Sequence, residues 1–319
     1  MNMRVWVGAL RLKTLGASLC PVLIGATLAK HDGVFVLTPI VLAFAGACLL
    51  QIASNFANDL YDGVRGTDSG DRLGPTRAVG SGLITPRAMR NALIFVLILA
   101  AIPAFFLTKR SGAIFAVIGV VGAISAVAYT APPIALAYRG LGDLFVFAFF
   151  GPIAVAGTRA ACDGAWTTTA LLCGIGSGAI AVCLLATNNL RDRVLDAANG
   201  KRTLAVRYGQ RSARAQIGAC HLLALATPMI AWRCCALPAS VMLATLVALF
   251  ATPATITILR GRDGAALNGN LAMLCASLRT GSETRSISTL MQHLHRTMNR
   301  PRTLLRSNRA ARQTSRDCR

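Results

Sequence analysis

Val34-Phe-Val-Leu-Thr-Pro-Ile-Val-Leu-Ala-Phe-Ala-Gly-Ala-Cys-Leu-Leu-Gln-Ile-Ala-Ser-Asn55-Phe-Ala-Asn58-Asp59-Leu-Tyr-Asp62 is an uncharged apolar run that ends in carboxylates. Residues 34–57 are long enough to cross a bilayer, for which a helix needs about 20 predominantly apolar residues. In hydrocarbon the backbone must satisfy its own hydrogen bonds, so a single apolar run of this length is read as a helix. Similar runs lie near 14–30, 91–108, 111–130, 141–160, 166–188, 213–232 and 235–259. The expectation is an all-α polytopic bundle of about eight spans. Its first span is interrupted by Pro21 and several glycines. No small-residue cleavage site follows that stretch, so it reads as a retained helix rather than a signal peptide.

Composition agrees. The chain has 319 residues, 54% hydrophobic and 14% charged, whereas a soluble domain carries about 25% charged residues. Lys and Arg then orient the bundle. With the N-terminus in the cytoplasm, the inside segments carry eighteen of them and the outside segments only Lys30, Lys109, Arg110, Arg159 and Arg233. The positive-inside rule therefore predicts a cytoplasmic N-terminus, in the inner (cytoplasmic) membrane. The ten remaining basic residues are arginines between Arg279 and Arg319. Residues 1–270 read as the membrane domain and 271–319 as a basic tail. That tail lacks aromatics on which bases could stack, so anionic lipid headgroups, not nucleic acid, are its expected partner. The ten cysteines show no CxxC or Cys/His spacing, so neither structural zinc nor a disulfide framework is expected.

Ionised groups are costly at a membrane, and six of the twelve acidic residues sit in two short stretches. Asp59, Asp62, Asp68 and Asp71 follow the quoted run; Asp192 and Asp196 follow the run near 166–188. Asn55, Asp59 and Asp62 are three to four residues apart, which puts them on one face if the helix continues through Asp62. Asp192 and Asp196 have the same i, i+4 relation, with Asn188 or Asn189 one turn earlier. Clustered carboxylates repel one another unless a cation sits among them. Asp and Asn oxygens suit Mg²⁺, which takes one or two carboxylates and completes its shell with substrate phosphates. Arg72 and Arg77 beside the first cluster, and Lys201 and Arg202 beside the second, suit a diphosphate.

Asn58-Asp-Leu-Tyr-Asp62, with the loop after it, and Asn188-Asn-Leu-Arg-Asp192-Arg-Val-Leu-Asp196-Ala-Ala-Asn-Gly-Lys201-Arg202 resemble the motifs of the UbiA-type intramembrane prenyltransferases. Tyr129-Thr-Ala-Pro-Pro133 and Tyr138-Arg-Gly-Leu-Gly-Asp143 are similar to the family's linker after its fourth helix. The resemblance runs from about residue 5 to about 273 and is strongest to the menaquinone branch. Benzoate-accepting relatives carry an acid where this chain has Gly66.

The resemblance implies a helix bundle around a central cavity and Mg²⁺-dependent transfer of a polyprenyl group from its diphosphate to an aromatic acceptor, 1,4-dihydroxy-2-naphthoate. It implies metal ligation by Asn58, Asp59, Asp62, Asp192 and Asp196. Substrate contacts would come from Asn55, Arg72, Arg77, Asn189, Lys201 and Arg202. Tyr129 would steady the allylic cation with its ring face, and Asp62 or Asp68 would act as base. Other readings are a 4-hydroxybenzoate-like acceptor, a membrane transporter, and an inactive remnant. The last arises because the family's ninth helix has no apolar counterpart beyond Leu274.

Overall fold

The computed structural model describes residues 3–66, 73 and 77–274. Asp68, Asp71, Arg72 and the tail from residue 275 onward lie outside these described residues. All regular structure among the described residues is helical. The order is α1 (Met3–Leu10), α2 (Leu12–His31), α3 (Leu37–Arg65), α4 (Pro86–Ser111), α5 (Ile114–Ala128), α6 (Gly142–Phe149), α7 (Pro152–Asp163) and α8 (Thr168–Arg191). A short α9 (Arg193–Ala198) follows, then α10 (Leu204–Cys234), α11 (Leu243–Leu249) and α12 (Thr252–Leu259).

Local chemistry sets the boundaries. Thr85, Thr167 and Thr203 each cap a helix, accepting from Ala88 N, Ala170 N and Val206 N at the starts of α4, α8 and α10. A side-chain oxygen at that position satisfies a backbone donor that the helix itself leaves orphaned. The quoted helix α3 runs through Asp62 to Arg65, and Gly66 (φ 74°) closes it in the left-handed conformation open to glycine.

Each of the eight apolar runs is helical, but five helices are long and apolar enough to cross a membrane by themselves. These include α3, α4, α8, α10 and the segment Gly142–Asp163, which comprises α6 and α7. The first run, 14–30, lies within α2, which continues through Pro21 without the expected interruption; the break comes before it, at Arg11 (φ 53°) between α1 and α2. At 15 residues, α5 reaches only about 22 Å at 1.5 Å per residue, short of a full hydrocarbon core of about 30 Å. The run 235–259, expected as one span, is divided into a 3₁₀ turn at Ala239–Met242, then α11 and α12. Pro238 precedes the turn and a proline opens α12. Pro lacks the amide that an uninterrupted helix needs there. The chain is an integral membrane protein: α4 and α5 present Ile94, Phe95, Ile98, Phe105, Val117 and Ile124 outward, a surface suited to lipid rather than water.

Lipid supplies little drive for helix association, so close packing of small residues does the work. At the α6–α7 junction, a Cβ on Gly174 of α8 would lie 2.5 Å from Pro152 Cα, and one on Gly178 would lie 2.6 Å from Phe147 O. At one end of the bundle, buried Arg159 of α7 pairs with Asp32, 2.7 Å away, and with Asp163. The last turns of α3 and α8 and the first turns of α4 and α10 lie at the other end, where both acidic clusters fall. Replacing Gly174 with alanine should lower the thermal unfolding midpoint in detergent by several degrees. Gly269→Ala, with open space around it, should leave the midpoint within a degree; equal midpoints would remove this packing account.

Candidate active site

The first acidic cluster is built by α3 and the loop that follows it. Asp59 is buried, and its carboxylate accepts from Val79 N at 2.8 Å and Ala78 N at 3.0 Å. That grip folds residues 77–84 back onto α3, where Ala78, Val79 and Ile84 join the core with Phe56, Leu60 and Met89. Gly63 makes the approach possible, since a Cβ there would lie 2.8 Å from Val79 Cβ. The loop carries Arg77, buried, with Nη2 3.8 Å from Asp62 Oδ2. Asn58 accepts from the buried Thr130 hydroxyl at 3.1 Å.

Asn55, expected as a substrate contact, is engaged within the chain. Its amide donates to Leu10 O at 3.0 Å and Thr14 Oγ1 at 3.2 Å, and its oxygen accepts from Gln51. It ties α3 to the α1–α2 break. The spacing placed Asn55 on the acidic face correctly, but the polar groups freed at that break claim its side chain.

The second cluster spans a helix break. Asp192 sits between α8 and α9, and Asp196 N still bonds Asp192 O at 2.8 Å, so the i, i+4 relation survives. Both Asp192 oxygens accept from the buried Arg191, at 2.8 and 2.6 Å. Arg191 Nη1 donates to Asn268, which donates in turn to Leu73 O. Asp196 lies 3.6 Å from Lys201 Nζ. Burial pushes the Asp196 carboxyl up to about 6; Lys201 opposes this, while the carboxylates of Asp192 and Asp62 add to it. Asn189 is half-buried and the Arg202 side chain is exposed.

One residue that the sequence did not mark joins the two clusters. Tyr138, in a 3₁₀ turn at Leu136–Arg139, donates its hydroxyl to Asp62 Oδ1 at 2.9 Å. The Arg65 guanidinium lies 4.2 Å from the Tyr138 ring centre and Lys201 Nζ 5.8 Å from it. Cations near an aromatic face are attracted by its quadrupole. Tyr138 therefore touches Asp62 with its hydroxyl and the Asp196 partner with its ring. Its turn is fixed to the second cluster, because Arg202 N donates to Tyr138 O at 3.1 Å and Arg207 Nη2 to Arg139 O at 2.7 Å. Tyr129 lies within electrostatic reach of Asp143, Asp62 and Asp196. An open apolar cleft of about 380 Å³ lies between α4 and the end of α5, lined by Leu97, Ile124, Val127, Ala131 and Pro132 among others.

Among the described residues no three His, Cys, Asp or Glu side chains form a ready-made cage. The donors are Asp and Asn oxygens on two facing elements, which fits Mg²⁺: it is held by one or two carboxylates and otherwise by water and phosphate. Asp59 keeps lone pairs beyond the two amides it accepts. The Tyr138–Asp62 contact makes a measurable forecast. A double-mutant cycle of Tyr138→Phe and Asp62→Asn should show about 1 kcal/mol of coupling in unfolding free energy. Strict additivity would mean that the two side chains do not meet.

With this geometry in hand, the comparisons are specific. Residues 18–278 match the model of the UbiA prenyltransferase family. A 1,4-dihydroxy-2-naphthoate octaprenyltransferase of Escherichia coli is 36% identical over 226 residues, 69% of this chain and 73% of that protein. One of Mycobacterium tuberculosis is 39% identical over 209 residues, 66% of this chain and 71% of that protein. A UbiA homolog from Aeropyrum pernix superposes with TM-score 0.67 at 19% identity, covering 86% of this chain and 99% of the other. One from Archaeoglobus fulgidus bound to DMAPP and Mg²⁺ gives 0.60 at 15% identity, with the same coverages. The two acidic motifs, the helical fold and the matched length agree: this chain belongs to the UbiA prenyltransferase family.

Proposed function

We propose that the chain transfers a polyprenyl group from its diphosphate to 1,4-dihydroxy-2-naphthoate, in menaquinone biosynthesis, from the cytoplasmic face of the inner membrane. The observation that carries this reading is the link from Asp62 through Tyr138 to Lys201 and Asp196, which gathers both acidic motifs at one end of the bundle. The named activity of the E. coli and M. tuberculosis relatives supports the acceptor. The DMAPP and Mg²⁺ of the A. fulgidus homolog support the donor class and the cofactor. The Lys and Arg asymmetry supports the orientation.

Asn58, Asp59, Asp62, Asp192 and Asp196 would hold Mg²⁺. Its charge offsets the diphosphate and stabilises the negative charge that develops on the leaving oxygens. Lys201 and Arg77 each stand within 4 Å of a site carboxylate. They are placed to turn toward phosphate oxygens, and Arg72, Arg202 and Asn189 are further proposed contacts. The apolar cleft between α4 and the end of α5 is proposed as a bed for the isoprenoid chain. The Tyr129 ring, in electrostatic reach of three carboxylates, is proposed to face the cationic allylic carbon. Membrane lipid surrounds the bundle, and no nucleic-acid partner is proposed.

Asp62→Asn and Asp192→Asn, each in membranes given Mg²⁺, prenyl diphosphate and the naphthoate, should lower product formation about 100-fold or more, the scale seen when one transition-state-stabilising group is lost. Chelating the metal should do the same to the unaltered chain, and added Mg²⁺ should restore it. Near-normal prenylation by both variants would remove the metal–diphosphate assignment. Faster prenylation of 4-hydroxybenzoate than of the naphthoate would replace the acceptor.

A further inference from the structure

Asp143 is the acid that the two motifs leave unexplained. It stands in the first turn of α6, half-buried, at the start of a membrane-crossing segment. A carboxylate in such a place is a functional hypothesis by default. The other described acids have clear commitments. Asp32 and Asp163 pair with Arg159, Asp62 faces Arg77, Asp192 grips Arg191, Asp196 faces Lys201 and Asp263 faces Arg214. Asp59 holds two backbone amides. Among the described residues Asp143 has no such cation. Its Oδ1 accepts from the neutral Gln216 amide of α10 at 3.1 Å, an oriented contact with an uncharged group.

Its position is equally telling. Asp143 follows Gly142 directly, and a Cβ on Gly142 would lie 2.9 Å from the Tyr129 hydroxyl. Tyr129 is in electrostatic reach of Asp143, Asp62 and Asp196. Asp143 is thus placed next in sequence to the residue that packs on Tyr129, the ring proposed to face the allylic carbon. A carboxylate facing a cation or a metal is a poor base, because the positive charge favours its ionised form; Asp143 faces the neutral Gln216 instead. Asp62, expected from sequence along with Asp68 as a candidate base, is held by the Tyr138 hydroxyl and faces Arg77.

We infer that Asp143, oriented by Gln216, is the general base that takes the hydroxyl proton of the aromatic acceptor. This rests on the proposed prenyl transfer. The ring carbon's electron pair forms the bond to the allylic carbon, whose bond to oxygen breaks with its pair going to the diphosphate. The acceptor O–H proton passes to Asp143 Oδ2, leaving a ring carbonyl. When the ring carboxylate leaves as CO₂, its bonding pair restores the ring and the oxygen takes the proton back from Asp143. No external oxidant or reductant enters.

The test uses the full chain in membranes and compares Asp143→Asn, Asp143→Glu and Gln216→Leu. Binding of a non-hydrolysable prenyl diphosphate analogue with Mg²⁺ should stay within about 3-fold for Asp143→Asn, while transfer falls 100-fold or more, within the usual contribution of general acid–base catalysis. Asp143→Glu should recover part of the rate, and Gln216→Leu should lose about 10-fold. An acceptor with its hydroxyl methylated should slow the unaltered enzyme to the Asp143→Asn rate and should not slow that variant further. A purely structural role would not produce this non-additivity. Transfer by Asp143→Asn within 3-fold of normal overturns the inference, as does its loss of analogue binding. If the unaltered chain binds the analogue yet prenylates no acceptor, the failure lies with the proposed function instead.

Discussion

The Tyr138 hydroxyl on Asp62 is the contact on which the functional geometry depends. It joins the end of α3 to a linker that is itself bonded to the segment after α9. Without it, the acidic motifs would be two unrelated helix ends, each balanced by its own arginine or lysine. With it, Asp62, Lys201 and Asp196 belong to one electrostatic unit around an aromatic ring. The arrangement is costly. Burial disfavours a charged carboxylate and its neighbours repel it, and Asp196 responds with a carboxyl raised to about 6. Such groups are tolerated where something else depends on their charge.

The membrane explains why the cost is confined to one end. Charged groups inside the hydrocarbon would need partners at every depth, and the helix interiors instead use glycine and alanine to pack. Gly174 and Gly178 let α8 lie against the α6–α7 junction, which places the first turn of α6, and with it Asp143, beside Tyr129. The helix packing and the placing of chemistry are therefore the same event. The far-end cluster of Asp32, Arg159 and Asp163 fastens α2 to α7 away from the site.

Much of this was legible in the sequence, because hydropathy and charge are local signals. The apolar runs, the extension of α3 through Asp62 and its stop at Gly66 all follow from residue type. The gathering of acids at one end follows from the alternation of spans. The division of 235–259 was less legible: its overall hydropathy reads as one span, and only Pro238 and Pro253 hint at breaks. Tyr138, Arg65 and Asp143 were missed as site residues because their partners are distant in sequence. Tyr138 meets Asp62 across 76 positions, and no periodicity records such a pairing. Asn55 shows the converse, a residue placed on the right face but claimed by a nearby backbone break.

The most direct test is a structure of the chain in lipid nanodiscs with Mg²⁺ and a non-hydrolysable polyprenyl diphosphate analogue. The account predicts the diphosphate between Asp62 and Asp196, beside Lys201, with the first isoprene unit against Tyr129. A diphosphate bound at the Arg159 end, or held by only one of the two acidic motifs, would contradict it.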